Sequence, residues 1–589
     1  MSIKIVALVV LIVLSISKRP MRPKEAMTEM ITKVIPKIEN EEIASKLTEL
    51  INIKNDEESC EKCKTTLSIL RLLYNIYIGK EKLKEFVLTV CKEIVQLPAH
   101  VCEGAVSRYS DVVVDNLVER IFNDTRTCAD LEYCNHTIAY ETIEEYAERV
   151  LKNKPETKKK EVDMKSQDII KVAQITDIHF DEKYIEGGVA DCNTPSCCCR
   201  ELPKPGEEDH ILGGKYGANS RCESNLNLMQ ATAEELAKHQ FDYLLFTGDV
   251  IRGEVWGLEQ EDVTKAMNTF IKTITDKIGM NIPIIPVIGN HEKFTVDQFK
   301  LPETDFLATI ANAYKPWLTT EAYESLKTYG YYTMKIKGIK LIVINCLLCD
   351  SFNWNLMTDN EDSKAMIKWL ENELDLAEKN DEPVHLIDHF PIGNGQQYEQ
   401  CSHRLRILIE RYQNTIKAYI SGHTHKDEIF LIKEYYTNNY FFANYAESAL
   451  NPREYKNPSI RIYEVDQKTK LLKDFVQIRM DIAKSNTERT PFWKEYYRAY
   501  KFLNQTYLFD ADALKNINIS GDYLRHRFSD NEAAEKLCYD EKTVNETRCM
   551  MLYTNYTERN NCMGGGLKLN GDFFFHLMGL IAGNFTKDY

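Results

Sequence analysis

The sequence predicts an α/β (α+β) protein with an all-helical unit in front and a mostly helical region behind. Three observations predict it. From Asp168 onward, short apolar strands alternate with amphipathic helices, a pattern that packs helices on sheets. Five of these strands run straight into Asp, Asn or His, and ligands in such folds gather at the carboxyl ends of strands. Ahead of them, residues 56–140 hold six cysteines among helical patterns. A helical unit this small buries little core and uses disulfides as staples.

At 589 residues the chain is too long for one core. A net charge of −15 argues against a nucleic-acid partner, which calls for a basic footprint. Residues 1–17 read as a signal peptide: Lys4 opens it, Ile5 to Leu14 are apolar, and Ser15-Ile16-Ser17 are small or short. The apolar run is short for a span, and no later stretch is long enough, so no transmembrane anchor is expected. Seventeen cysteines suit an oxidising compartment. Glycosylation sequons start at Asn123, Asn135, Asn504, Asn518, Asn545, Asn555 and Asn584. Together these features predict a secreted or lysosomal glycoprotein.

Taken in order, residues 18–55 are a charged lead-in without cysteine. In 56–140, Leu67, Ile69, Leu70, Leu72, Leu73, Ile76 and Ile78 cover one helix, with Gly79 as a stop. A second helix carries Leu83 to Val95, and a third Val112 to Ile121. Cys60, Cys63, Cys91, Cys102, Cys128 and Cys134 allow 15 pairings, among which spacing alone does not choose. Residues 141–167 are lysine-rich and read as a linker. Residues 168–465 form the α/β domain. Its strands are expected at 169–175, 241–246, 282–288, 340–344, 384–387 and 417–420. Its helices are expected at 226–239, 259–278, 363–379 and 403–413. Residues 466–589 are aromatic-rich, contain Cys538, Cys549 and Cys562, and read as a helical region.

The strand ends supply Asp177, His179, Asp249, Asn290, His389, His423 and His425. This nitrogen and oxygen set suits zinc, iron or manganese. Seven ligands exceed one tetrahedral ion, whereas two ions sharing the Asp249 carboxylate use them all. In Ser421-Gly422-His423-Thr424-His425, an extended backbone would point both imidazoles the same way, and the glycine permits close approach. Two such ions lower the pKa of bound water toward about 7 and clamp the oxygens of an in-line displacement at phosphorus. Phosphate-ester hydrolysis by a hydroxide shared between them is the chemistry this set predicts.

These motifs resemble the calcineurin-like metallophosphoesterases, whose fold is a β-sandwich flanked by helices. The cysteine spacing of residues 56–140 resembles a saposin B-type domain. Together, with Ala190 to Cys198, Trp256, Trp369-Leu370, Asn457-Pro458 and Arg461-Ile462-Tyr463, they resemble the acid sphingomyelinases along nearly the whole chain. The resemblance implies the pairings Cys60–Cys134, Cys63–Cys128 and Cys91–Cys102. It implies Cys192–Cys197, Cys222 with Cys198 or Cys199, and Cys401 with Cys346 or Cys349. It implies two zinc ions, one held by Asp177, His179, Asp249 and His425, the other by Asp249, Asn290, His389 and His423. It casts His291 as the acid that protonates the leaving alkoxide. The implied substrate is sphingomyelin in membranes or lipoproteins, presented by the saposin-like domain and split into ceramide and phosphocholine.

The sequence departs from that family at Gly253, where a histidine is usual, and at Asp388, where glycine is usual. Cys199 is an additional cysteine in its loop. These departures keep two other readings open: a phosphodiesterase of nucleotides or other phosphocholine compounds, and a catalytically weak lipid-binding homologue.

Overall fold

The computed structural model describes residues 57–75, 79–94, 96–130, 134, 141–158, 160–206, 209–437, 439–503, 508, 511–519, 521–529 and 540–563. The expected signal peptide, the 18–55 segment, Cys538, Asn135, Asn504 and Asn584 lie outside them. The chain divides into two compact units. One holds the described residues up to Thr142 together with Ser351–Asn360, and the other holds Ile143–Asp350 and the described residues from Glu361 on.

The first unit is helical: Glu57–Leu73, Gly79–Thr89, Ala99–Ile121 and Asp124–Asp130. Gly79, expected to end a helix, begins one. Leu67, Tyr74, Leu83, Val101, Val114 and Phe122 are buried between the helices. Disulfides join Cys60 to Cys134, Cys63 to Cys128 and Cys91 to Cys102. Cross-links of this kind stabilise a small domain by about 2–4 kcal/mol each. The insert Ser351–Asn360 belongs to this unit, where Thr358 Oγ1 donates to Asn116 Oδ1 at 2.7 Å.

The second unit is built on two six-stranded sheets. The strands are β1 (Ile169–Ile175), β2 (Tyr243–Phe246), β3 (Ile284–Pro286), β4 (Tyr332–Ile336), β5 (Ile339–Val343), β6 (Val384–Ile387), β7 (Ile416–Ser421), β8 (Glu428–Lys433), β9 (Tyr440–Ala446), β10 (Ser459–Asp466), β11 (Leu472–Met480) and β12 (Trp493–Arg498). The first sheet runs β12-β11-β10-β1-β2-β3 and the second β4-β5-β6-β7-β9-β8. β1, β2 and β3 are parallel neighbours, as are β5, β6 and β7. Every residue of β2, β5 and β6 is buried, as strands covered on both faces require. Helices Leu226–Leu236, Gln260–Ile278, Glu361–Lys379 and Glu399–Arg411 accompany them.

Two expected boundaries move. Residues 143–151 are a helix of the second unit, not linker. Its buried face is Ile143, Tyr146, Ala147 and Val150, and Lys154 beyond it pairs with Glu410 and Glu434, each at 2.8 Å. High charge disguised a short amphipathic face. The first sheet also continues past residue 465, because β11 and β12 pair antiparallel onto β10. Helices at Ile482–Glu488, Gly521–Arg527, Glu541–Leu552 and Tyr556–Cys562 occupy much of the rest.

The sheets are joined by buried polar side chains. Gln174 Nε2, on β1, donates to Thr247 Oγ1 and to the Ser421 carbonyl, both at 2.9 Å. Tyr463 OH donates to Gln174 Oε1 at 2.8 Å. Arg461, fully buried on β10, meets Asp427 and Glu447 of the other sheet at 2.6 Å each. Burial pushes the Glu447 carboxyl up to about 8, against the opposing pull of Arg461. Removing one partner of such a group leaves an uncompensated buried charge. Arg461→Met is expected to lower unfolding free energy by about 3–5 kcal/mol in urea titration. An unchanged midpoint would show that these carboxylates do not depend on Arg461.

Candidate metal centre

Each candidate ligand follows a strand end. Asp177 and His179 follow β1, Asp249 follows β2, Asn290 follows β3, His389 follows β6, and His423 and His425 follow β7. Strand ends of both sheets therefore aim at one place. The backbone there is strained. Asp177, His179, Asp249, His423 and His425 all have positive φ, between 48° and 71°. Such residues cost about 1–2 kcal/mol each without a glycine's freedom, and strain of this kind collects at functional sites. His423 and His425 are not in extended backbone as expected: β7 ends at Ser421, and both histidines lie in a left-handed bend. Gly422 is required, since a Cβ there would lie 2.4 Å from Thr176 Oγ1 and 2.9 Å from Asp177 Oδ2.

The ligand atoms form two clusters that share Asp249. Asp177, His179, Asp249 and His425 make one, and Asp249, His389 and His423 the other, with the atoms of each within 4.8 Å of one another. Asn290 Oδ1 lies 3.1 Å from His389 Nε2, which adds it to the second. All seven sequence-derived ligands are thus brought together.

The chemistry of this donor set fits cations. His179 Nδ1 donates to the Ile251 carbonyl at 2.9 Å, and His389 Nδ1 to the Thr247 carbonyl at 2.6 Å. The Nε2 of each ring then faces inward: burial favours the lone pair on His179, whereas against burial the Asp249 carboxylate pushes His389 up to about 10, so a proton occupies its Nε2 where no cation does. His179 Nε2 faces His425 Nε2 at 3.0 Å and Asp249 Oδ2 at 3.5 Å. His389 Nε2 faces Asp249 Oδ2 at 3.2 Å. Asp177 Oδ1 is buried without a hydrogen-bond partner among the described residues, 3.2 Å from His425 Nε2. Lone pairs converging in a dry site repel unless a proton or a cation lies between them. Burial pushes His179 down to about 4 and, with the charged His389 beside it, His423 to about 3, favouring the neutral form of these two rings. Burial would raise Asp249 too, but the His389 and His291 rings hold it well below the usual carboxylate range.

Residues without a sequence-derived role hold these ligands. Glu292 is buried, and its carboxylate accepts from the backbone N–H of Gly289 (2.6 Å), Asp249 (2.9 Å) and Val250 (2.6 Å). Its place in Gly289-Asn290-His291-Glu292 was the only signal. Asn290 Nδ2 donates to Asp297 Oδ1 at 2.9 Å, which turns Oδ1 of the amide toward His389. No sequence pattern marks Asp297. The His291 backbone N–H donates to Asp249 Oδ1 at 2.9 Å. Its ring stands edge-on to His179 at 4.8 Å between centroids, and its Nδ1 is buried with no partner among the described residues. Asp388 is buried and turned away from the ligands, accepting from Tyr419 OH at 3.2 Å.

The cysteine-rich loop corrects one pairing. Cys192 bonds Cys198 rather than Cys197, and Cys199 bonds Cys222. Cys197 adopts φ 60° and turns its thiol toward Glu223 Oε1, 3.9 Å away, which leaves Cys198 to face Cys192. Cys349 bonds Cys401, Cys549 bonds Cys562, and Cys346 is a buried thiol. Among the described sequons, Asn518 and Asn545 are exposed and Asn123 and Asn555 half-buried.

Residues 170–427 match the family model of the calcineurin-like phosphoesterases. A sphingomyelin phosphodiesterase of Bos taurus is 27% identical over 431 residues, covering 70% of this chain and 68% of that protein. Sphingomyelin phosphodiesterase B of Dictyostelium discoideum is 25% identical over 515 residues, 82% of this chain and 79% of its own. The cyclic GMP-AMP phosphodiesterase SMPDL3A of Homo sapiens is 26% identical over 356 residues, 56% of this chain and 74% of its own.

Glu292→Gln puts an amide where three N–H donors converge. It is expected to cost about 2–4 kcal/mol of stability in chemical denaturation and to weaken metal retention on dialysis. Wild-type stability and metal content would show that the loops around Asp249 hold without it.

Proposed function

We propose that this chain, whose residues 170–427 form a calcineurin-like phosphoesterase domain, is a zinc-dependent phosphodiesterase that hydrolyses sphingomyelin to ceramide and phosphocholine. The observation that carries the proposal is the pair of ligand clusters sharing Asp249, in a chain with sphingomyelin phosphodiesterases among its relatives. Asp177, His179, Asp249 and His425 would hold one zinc ion, and Asp249, Asn290, His389 and His423 the other. When bound, two such ions supply a nucleophile from water near neutral pH and neutralise charge on the phosphoryl oxygens.

The protein's own groups would do the rest. His291 is fixed at its backbone by Asp249, and its ring lies against His179. There it would serve as the proton donor for the oxygen that leaves with ceramide. Glu292 and Asp297 keep Asp249 and Asn290 in position. The disulfide-stapled helical unit would present the lipid, as a saposin B-type domain does. In support, Val112, Val113, Leu117 and Val118 on its longest helix are only half-buried, leaving apolar surface for acyl chains. Seven disulfides among the described residues favour a secreted or lysosomal setting. No described helix is long and apolar enough to cross a membrane.

A second reading is hydrolysis of nucleotides or other phosphocholine compounds. It has support from the cyclic GMP-AMP phosphodiesterase among the relatives and from Gly253 in place of the family's histidine. The helical unit favours lipid. The purified chain is expected to release phosphocholine from sphingomyelin vesicles, to lose that activity to a chelator, and to regain it with zinc. Chelator-sensitive turnover of a cyclic dinucleotide without lipid turnover would establish the second reading instead. No turnover of either substrate would leave only a lipid-binding role.

His291→Ala is expected to lower kcat by roughly 10²–10⁴-fold while metal content stays at the wild-type level. Loss of metal in that variant would assign His291 to the ligand set.

A further inference from the structure

Gly253 lies four residues beyond Asp249, on the rim of the cluster that holds His179 and His425. The position a Cβ would take there is closed in from three loops. Glu223 Oε1 lies 3.0 Å from where a Cβ would stand, Ser196 Oγ 3.5 Å, and Arg453 Nη1 3.7 Å. Each loop is tied to the metal centre. The Gly253 N–H donates to Glu223 Oε1 at 3.2 Å. The N–H of Ser224, next to Glu223, donates to the carbonyl of the ligand His179 at 3.2 Å. Asn451 N–H donates to the carbonyl of the ligand Asp177 at 3.2 Å, and Asn451 Nδ2 donates to Glu223. Asn451 Oδ1 in turn accepts from the Arg453 N–H at 2.9 Å.

Arg453 is fixed by more backbone than its charge needs. The next two residues, Glu454 and Tyr455, are consecutive non-glycines at φ 63° and 62°. Two neighbouring left-handed residues cost about 1–2 kcal/mol each. The Glu454 N–H is tied to the Ser220 carbonyl at 3.2 Å. The Arg453 side chain is four-fifths covered there and faces Glu223.

Among the described residues its donors make no hydrogen bond. Arg453 Nη1 is 3.6 Å from Glu223 Oε1 and Nη2 is 3.6 Å from Glu454 Oε1, both ion-pair contacts too long for hydrogen bonds. Arg453 Nε is buried, with no hydrogen-bond partner among the described residues. Buried guanidinium donors are satisfied by their surroundings in most proteins. Arg252 and Arg200 of the same region are bonded directly to carboxylates at 2.8 Å. A guanidinium fork held beside a cation site with its donors open matches the geometry of a phosphate oxyanion.

We propose that Arg453 is a substrate-binding residue: it donates to a non-bridging oxygen of the phosphate, past the Gly253 backbone, where a side chain would crowd Glu223 Oε1 and Arg453 Nη1. The role deepens the phosphodiester reading above and rests on it. Glu223 and Asn451 are positioning residues, which orient the fork from below. The contact grows stronger as charge builds on the phosphoryl oxygens, so it acts on the transition state more than on the ground state.

The test is titration of inorganic phosphate into zinc-loaded full-length protein by calorimetry, with zinc content and melting temperature measured on the same samples. Arg453→Gln should raise the phosphate Kd by about tenfold or more, and Arg453→Lys by a smaller factor, both at wild-type zinc content. An unchanged Kd in either folded variant would overturn the proposal, as would absence of phosphate binding by the wild type. If Arg453→Gln loses zinc, Arg453→Lys, which keeps the charge opposite Glu223, decides. Loss of zinc in both makes Arg453 a counter-ion of Glu223 only and overturns the substrate role. The readout is independent of which ester is cleaved: phosphate binding that depends on Arg453 without sphingomyelin turnover refutes the substrate assignment and not this one.

Discussion

The constraint on which the rest depends is electrostatic. Imidazole nitrogens and carboxylate oxygens converge with their lone pairs on one buried place, two imidazole nitrogens facing each other at 3.0 Å. In a dry interior such an arrangement is repulsive on its own. It persists because the fold around it is over-determined. Gln174 ties the two sheets directly beneath the site, and Glu292 gathers three backbone donors around Asp249. Ligand backbones accept left-handed conformations that only surrounding structure can enforce. Cations would turn the same crowding into attraction, which is why this donor set fits a metal.

From that constraint the division of labour follows. Both sheets contribute ligands, so a centre between two clusters exists only when the sheets are packed, and the buried Arg461 pairs help to hold them. The carboxylate that joins the clusters also accepts from the backbone of His291. One side chain therefore both joins the clusters and fixes the backbone of His291. The helical unit stands apart in its construction: three disulfides replace the large core that its length cannot supply.

What the sequence disclosed and what it hid have physical reasons. The seven candidate ligands were legible because strand ends are punctuated by polar residues in an otherwise apolar domain, and because their residue types suit a metal. The geometry of His423 and His425 was not, since the left-handed turn that aims them comes from tertiary contacts to Thr176 and Asp177, not from local alternation. Residues 143–151 were hidden by charge: glutamates and arginine flank a narrow apolar stripe that becomes visible only against the helix Glu399–Arg411. β11 and β12 were hidden by their neighbourhood, since aromatic density after residue 466 suggests helix as readily as edge strand. Cys197 and Cys198 could not be separated by spacing, because one residue's backbone conformation decides which sulfur faces Cys192. Asp297 and Arg453 carry no motif: Asp297 meets Asn290 through a turn of the same loop, and Arg453 meets Glu223 across loops distant in sequence.

The most direct measurement is anomalous X-ray scattering from crystals of the zinc-loaded protein, collected on either side of the zinc absorption edge. The account predicts two anomalous peaks, one among Asp177, His179 and His425 and one among Asn290, His389 and His423, with the Asp249 carboxylate between them. No peak, or peaks elsewhere on the molecule with these seven side chains unligated, would contradict it.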